Sequence, residues 1–337
     1  MPSQLLLITG ATGFIGTETV YQAVNKGYRT RLAIRRPEQA DALKQRFPGH
    51  EGQLEFALVP QIDNKDALAT ALEGVDFIVH VASPMPLNDD DLRTAYIDPA
   101  VRGTLAILEA AKGTPSVKRV IITSSILALA PLSLAARPGF AVEEGANASI
   151  EVDLDAPIPP APKGPMYKYH ISKILAHRAT IEWAAKHKPA FDVATVHPYY
   201  VVGYDRTQKP GVAVEAPAPV NSLYLHSLKS GGDALQSSFV DVRDVAAIHI
   251  GAITVASDKL KARGEVTEYI ANGPFVMWDE LRAFVAKKYP GFPLKHVAAG
   301  VSQKPPISST ERASRDLGVV FHDPLDTLAA LLDQHSV

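Results

Sequence analysis

The chain has 337 residues, 46% of them hydrophobic and 21% charged, with a formal net charge of -2. This composition fits a soluble globular protein of one large domain or two, and it gives no electrostatic case for nucleic acid or an anionic membrane surface. Cysteine is absent, which excludes disulfides, thiolate metal sites, iron–sulfur clusters and a cysteine nucleophile, and fits a reducing compartment.

The chain begins MPSQLLLITG, without a cationic leader, and its apolar run meets a glycine motif too soon for a signal peptide. The longest apolar stretch, ILALAPLSLAA, is too short to cross a bilayer and contains Pro131. The expectation is a cytoplasmic protein with no membrane partner. From there the first half alternates apolar, β-like runs with amphipathic segments, at the pace of repeated βα units. The predicted strands are QLLLITG, YRTRLAI, LEFALVP, VDFIVHVAS, RVIITSS and FDVATVHP. Predicted helices run from Gly13 to Lys26, Pro37 to Phe47, Asn64 to Leu72, Pro99 to Lys112 and Tyr167 to His187. Near-continuous apolar strands suit a parallel sheet covered on both faces, so the expected fold class is α/β, an open doubly wound (Rossmann) sheet.

Two stretches break that rhythm. Ala130 to Pro165 is long, proline-rich and acidic in its middle, the kind of loop that is functional or mobile in most compact domains. From Tyr199 the sequence YYVVGYDRTQKPGVAVEAPAP is irregular, and helical character returns near Asn221. The C-terminal third is expected to form a smaller mixed α/β substrate-binding lobe over the carboxyl edge of the sheet. The division predicted is residues 1–198 with about 237–256 for the cofactor domain, and about 199–236 with 257–337 for the lobe.

The first strand ends in LLLITGATGFIG, which sets Gly10, Gly13 and Gly16 between a strand and a helix, with Thr12, Phe14 and Ile15 among them. Glycine permits the tight turn, lets a pyrophosphate approach the backbone, and lets the helix pack closely on the sheet. The helix N-terminus then offers free N–H groups and positive dipole to phosphates. The second strand ends LAIRRPEQ, placing Arg35 and Arg36 where an acidic residue would hold the ribose of NAD. A guanidinium there suits a 2′-phosphate, so NADP(H) is expected over NAD(H), with Arg35 the chosen residue because it directly follows the apolar run.

Of the eleven tyrosines only Tyr169 has a lysine four residues on, Lys173; for Tyr167 that position is Ile171. A tyrosine and lysine at that spacing share one helix face, and an ammonium beside a phenol favours the phenolate. The motif alone is weak, and its context decides. Upstream, KRVIITSS reads as a buried strand ending in Thr123, Ser124 and Ser125. In a parallel sheet that end faces the ligand crevice, so a hydroxyl there could bind a carbonyl oxygen or simply cap a turn.

These motifs together resemble the extended short-chain dehydrogenase/reductases. The similarity is greatest to the branch holding dihydroflavonol reductase, cinnamoyl-CoA reductase and the yeast methylglyoxal and carbonyl reductases. The segments that carry it are TGATGFIG, VHVASP, DPAVRGTLAILEA, ITSS, YHISK, HPYYVVG, FVDVRDVA and RASRDLGVVFHDPLDTL, in that order along nearly the whole chain. The resemblance implies an NADPH-dependent carbonyl reductase of small molecules, a monomer or homodimer. It makes Tyr169 the proton donor, Lys173 the residue that holds the nicotinamide ribose and tunes Tyr169, and Ser125, rather than Ser124, the residue that binds the substrate carbonyl. It also places Ala82, Ser83 and Ser124 along the cofactor, and Pro198 and Val201 beside the nicotinamide. Gln61, with Ile62, stands where the family often has an acidic residue near the adenine, and Ala100 stands at a frequent asparagine position. The latter fits the reductase branch better than a sugar-nucleotide epimerase.

The expected pocket wall is Pro84, Ile126, Leu127, Met166, Tyr199, Tyr200 and Tyr204, an apolar and aromatic set that suits a hydrophobic or aromatic ketone or aldehyde. The competing enzyme readings are a hydroxysteroid-type dehydrogenase and a nucleotide-sugar epimerase or dehydratase. A dehydratase would be expected to carry an Asp–Glu pair where this chain runs into ILALA. A nicotinamide-sensing regulator without turnover would be expected to lose the Tyr–Lys pair. No metal is expected: the eleven histidines form no H-E-x-x-H, and His170, His177 and His187 lack closely spaced carboxylates. His80 and His197 lie in strand-like runs, where a packed, hydrogen-bonded role is expected. A serine hydrolase would want G-x-S-x-G, which is absent.

Overall fold

A computed structural model describes residues 4–83, 91–133, 141–161, 163–208, 218–231, 238–295 and 307–335. The chain opens with β1 (Leu5–Thr9), α1 (Phe14–Asn25), β2 (Arg29–Ile34), α2 (Gln39–Arg46), β3 (Leu54–Leu58), α3 (Lys65–Ala71) and β4 (Phe77–His80). It continues with α4 (Asp98–Lys112), β5 (Arg119–Thr123), a short 3-10 helix (Ile126–Leu129), β6 (Ala141–Val142), α5 (Lys163–His187) and β7 (Asp192–Pro198). The remainder comprises β8 (Val201–Val202), α6 (Pro219–Ser230), β9 (Val240–Asp241), α7 (Val242–Thr254), β10 (Val266–Ala271), α8 (Trp278–Lys288), β11 (Ile307–Ser308), α9 (Glu311–Leu317) and α10 (Pro324–Gln334).

Seven strands form one sheet in the order β10-β7-β5-β4-β1-β2-β3, every neighbouring pair parallel. The order reverses between β1 and β4, and at such a switch point the loops diverge and leave a crevice at the carboxyl edge. Both faces are covered, as the apolar strands require. One cluster joins Leu6, Ile8 and Val79 to α1 and α7 through Val20, Val245 and Ile248; the other joins Leu7, Ile78 and Ile122 to α4 and α5 through Ile107, Leu108 and Trp183. The expected doubly wound α/β fold is borne out.

Three details differ from the sequence reading. β10 lies within the 257–337 span expected for the smaller lobe, yet it is the seventh strand of the main sheet. Its sequence, VTEYIA, is interrupted by Glu268, which hides a fully buried strand. Second, α5 begins at Lys163 rather than Tyr167. Pro165 sits in its first turn, where a missing N–H costs nothing, and Pro160 O accepts from the N–H groups of Lys163 and Gly164. Third, the Ala130–Pro165 stretch is tied down in its described part: Asn147 Nδ2 donates to Ala128 O at 2.7 Å and Ile174 O at 3.1 Å. β6 from this stretch pairs in parallel with β11.

A separate core of Tyr224, Leu225, Phe239, Trp278, Leu281, Leu328 and Leu331 joins α6, α8 and α10. No described helix is long and apolar enough to cross a membrane.

Candidate active site

The β1–α1 turn is shaped by its backbone. Gly10 has φ +72°, and a Cβ there would meet Ala82 N at 2.7 Å. A Cβ on Gly16 would meet Gly10 O at 2.0 Å, so this glycine is required for α1 to pack under the turn. Gly13 is different: the nearest atom to a Cβ there is 3.5 Å away, so the fold itself would admit a side chain. Gly13 is the α1 N-cap and offers no side-chain cap, and Thr12 and Gly13 are exposed, while Phe14 and Ile15 pack partly on the core. Glycine at 13 therefore keeps open the approach to the helix N-terminus from outside.

Across the switch point, Thr9 Oγ1 accepts from Ala82 N at 3.2 Å and shares a hydrogen bond with His80 Nδ1 at 2.9 Å. Burial, and secondarily the Lys173 charge, pulls His80 down to about 4, so it is a neutral clip between β1 and β4. His249 Nδ1 donates to Val245 O at 2.6 Å, and its Nε2 accepts from Thr123 Oγ1 at 2.7 Å. His197 Nδ1 donates to Ser125 O at 3.0 Å, while its Nε2 accepts from Thr195 Oγ1 at 2.8 Å. Burial lowers His249 to about 4 and is the largest cause that lowers His197 to about 3. Three neutral histidines thus pin β4, β5 and β7 near their carboxyl ends.

Ser125 follows β5 in extended backbone and caps the 3-10 helix, accepting from Leu127 N at 3.2 Å. That bond uses a lone pair and leaves the hydroxyl proton available to an incoming oxygen. Ser124, half-buried beside it, donates its N–H to Val196 O at 2.7 Å. On α5, Tyr169 is half-buried and Lys173 buried, with the ammonium 5.2 Å from the Tyr169 ring centroid. Lys173 Nζ donates to Ser83 Oγ at 2.8 Å, bridging α5 to the end of β4. His170 Nε2 donates to Ala130 O at 2.8 Å, fixing the start of α5 against the segment that follows Ser125. Tyr167 has no comparable lysine and stays half-buried at the helix start.

Other expected residues are placed less uniformly. Arg35 and Arg36 are both exposed, and no side-chain partner occupies either guanidinium among the described residues; their N–H groups share Gln39 Oε1 at 2.8 and 3.1 Å. Gln61 is exposed, and Ile62 packs partly on the core beside Gly103. Pro198 and Val201 are buried where β7 ends and β8 begins. Tyr199 and Tyr200 stand edge to face at 5.0 Å, and Tyr199, like Leu127, packs against the small cluster that holds Ile126. Burial, then the Tyr200 neighbour, raises the Tyr199 hydroxyl well above its usual value. Ile126 is itself 5% exposed and fills core, and Met166 is half exposed. Tyr204 lies by Arg206, which stacks on the Tyr21 ring of α1 at 3.4 Å and pairs with Glu18. Pro84 lies outside the described residues.

The sequence reading missed one cluster. His177, which has no carboxylate near it in sequence, meets Glu268 across 91 residues: Nε2 lies 2.6 Å from Oε1. His197 packs edge-on to His177 at 4.6 Å, so two imidazoles and a carboxylate converge within 4.8 Å. The composition is that of a metal site, but both His197 nitrogens are engaged by Ser125 O and Thr195 Oγ1, and His177 by the carboxylate. These contacts describe a hydrogen-bonded network.

Comparison with known proteins agrees with this architecture. The family model described as the NAD dependent epimerase/dehydratase family matches residues 6–263. A ketoreductase, sphI, of Aspergillus fumigatus is 30% identical over 325 residues, covering 95% of this chain and 93% of its own. A putative NADPH-dependent methylglyoxal reductase, GRP2, of Candida albicans is 32% identical over 285 residues, covering 81% and 80%. Among solved structures, the yeast methylglyoxal/isovaleraldehyde reductase Gre2 complexed with NADPH superimposes with TM-score 0.80 at 21% identity over 98% of each chain. The chain belongs to the NAD dependent epimerase/dehydratase family, the extended short-chain dehydrogenase/reductases, as its motifs implied. Within that family it is an oxidoreductase enzyme, similar to relatives named ketoreductase and methylglyoxal reductase.

Proposed function

We propose that the protein is an NADPH-dependent carbonyl reductase acting on hydrophobic or aromatic ketones and aldehydes. The observation that carries this reading is the Tyr169–Lys173 pair on one face of α5, with Lys173 reaching Ser83 at the mouth of the crevice that the glycine turn opens. The residues present fit a dinucleotide: two glycines make the turn, a third keeps it approachable, and Arg35 is an unengaged cation at the end of β2. When bound, the nicotinamide supplies the reducing equivalent to the carbonyl carbon. Gly10, Gly13 and Gly16 with the α1 N-terminus would hold the pyrophosphate, Arg35 the 2′-phosphate, and Ala82, Ser83, Pro198 and Val201 the ring and its ribose.

The chain's own groups then manage the oxygen. Ser125 donates its free proton to the carbonyl oxygen, and Tyr169 hands its phenolic proton to the alkoxide that develops there. Lys173 steadies the phenolate left behind. Leu127, Tyr199 and Tyr200 supply the apolar wall that keeps water from this exchange. Relatives named ketoreductase and methylglyoxal reductase support the carbonyl class.

Tyr169→Phe tests the assignment, because it removes the proton and little else. Turnover should fall by about 1000-fold or more, with NADPH affinity and Tm unchanged. Turnover near the parent's rate would remove Tyr169 from the chemistry.

A further inference from the structure

One buried feature is unused by this mechanism, and its interpretation rests on the reading of Tyr169 and Lys173 given above. Lys173 is buried and has no carboxylate partner among the described residues. Beside it, α4 and α5 and the carboxyl ends of β4, β5 and β7 line a partly open cavity, reached also by Ala82, Ser83 and Ser124, with about 20 Å³ open to the centre of a water molecule. That is room for one ordered water. Among apolar neighbours such as Ile122 and Ala176, its polar lining includes Lys173, His177 and Thr180 from α5, Thr104 from α4, His80 from β4 and Thr195 from β7.

His177 lies one helical turn beyond Lys173. Its Nε2 faces the Glu268 carboxylate at 2.6 Å and donates to it, so that in the neutral ring Nδ1 carries the lone pair. Nδ1 is buried and has no hydrogen-bond partner among the described residues. A water that accepts from Lys173 Nζ–H and donates to His177 Nδ1 would satisfy both groups. We infer that Glu268 is the remote counter-ion of Lys173, acting through His177 and one cavity water, so that His177 and Glu268 are positioning residues for the Tyr169–Lys173 pair.

The surrounding charges leave this role to Glu268. His80 and His197 are neutral and already engaged, and α4 contributes Ala100, Gly103 and Thr104 to the cavity. Glu144, the other carboxylate whose charge reaches Glu268, is bound to Arg312. Lys261 approaches Glu268 Oε2 at 3.8 Å, but its side chain is 34% exposed and screened by solvent, so it neutralises the carboxylate only in part. Burial alone would raise the Glu268 carboxyl, but the His177 hydrogen bond, with a smaller share from Lys261, holds it ionised.

Two measurements decide the matter. A crystal structure of the wild-type protein should show a water within hydrogen-bonding distance of both Lys173 Nζ and His177 Nδ1; a dry cavity overturns the proposal. Glu268→Gln keeps the shape and removes the charge, so the alkaline limb of the kcat–pH profile should move down by about one pH unit, because a buried cation and a phenol both lose their protons more easily without a nearby anion. His177→Gln should move the same limb the same way and serves if Glu268→Gln does not fold. A drop in kcat at every pH with the limb unmoved is the mark of a merely structural role and also overturns the proposal. The two readings fail separately: wild type that turns over no carbonyl contradicts the proposed function, while the cavity water is decided in the crystal regardless.

Discussion

At the β1–α1 turn the backbone itself forms the candidate site, whereas on α5 it is formed by side chains. Gly10 and Gly16 act by what they lack: a Cβ would strike Ala82 N or Gly10 O. Tyr169 and Lys173 act by what they carry, and their backbone is ordinary helix. The first region therefore answers to steric change and the second to chemical change, even though both serve one crevice. Steric sites fail together with binding and packing; chemical sites can fail while the fold stays whole.

The widest separation of the two regions comes from Gly16→Val. Forcing a side chain into 2.0 Å of the Gly10 carbonyl should weaken NADPH binding by about 100-fold and lower Tm as well. Isothermal titration with NADPH beside a thermal melt checks both, and a variant that binds normally would break the steric account. A smaller effect is expected at Arg35, which is chemical but belongs to the cofactor end. Arg35→Glu would replace the proposed charge-assisted bond with repulsion, so the proposed preference for NADPH over NADH should fall by about 10-fold to 100-fold, read from kcat/KM with each. An unchanged ratio would pass the role to Arg36, which is equally exposed.

The least local effect is on stability, and it sharpens what holds the two regions in register. His80, His197 and His249 are lowered to about 4, 3 and 4, below the unfolded value near 6.5. The unfolded chain then binds more protons, so their contribution is complete above about pH 6.5 and is lost as pH falls toward the folded values. Tm should drop by about 10 °C or more between about pH 7 and pH 4.5. A flat Tm over that interval contradicts the picture of three neutral clips.

The same contrast explains what the sequence could disclose. The glycine turn was legible because its spacing is local, and the Tyr169–Lys173 pair because i and i+4 meet on any helix. Six of the seven main-sheet strands were legible as apolar runs. β10 was not, since Glu268 breaks its pattern and its partner His177 lies 91 residues away. The dependence runs both ways: the same separation concealed the His177–Glu268 network, which only the packing of β10 on β7 assembles. Ser125 read as either a cap or a carbonyl ligand; the structure shows the cap and leaves the hydroxyl proton unused. Tyr204 is expected in the pocket wall from its place in the loop after Tyr199 and Tyr200, and its ring stands 5.5 Å from the Arg206 guanidinium, a contact two residues away in sequence.

The central claim is that this crevice reduces carbonyl groups with NADPH. Its most direct test is steady-state oxidation of NADPH and NADH by the wild-type protein against aromatic and aliphatic ketones, aldehydes and UDP-sugars. The account predicts turnover with ketones or aldehydes, faster with NADPH, and none with UDP-sugars. Activity confined to UDP-sugars, or a clear preference for NADH, would contradict it.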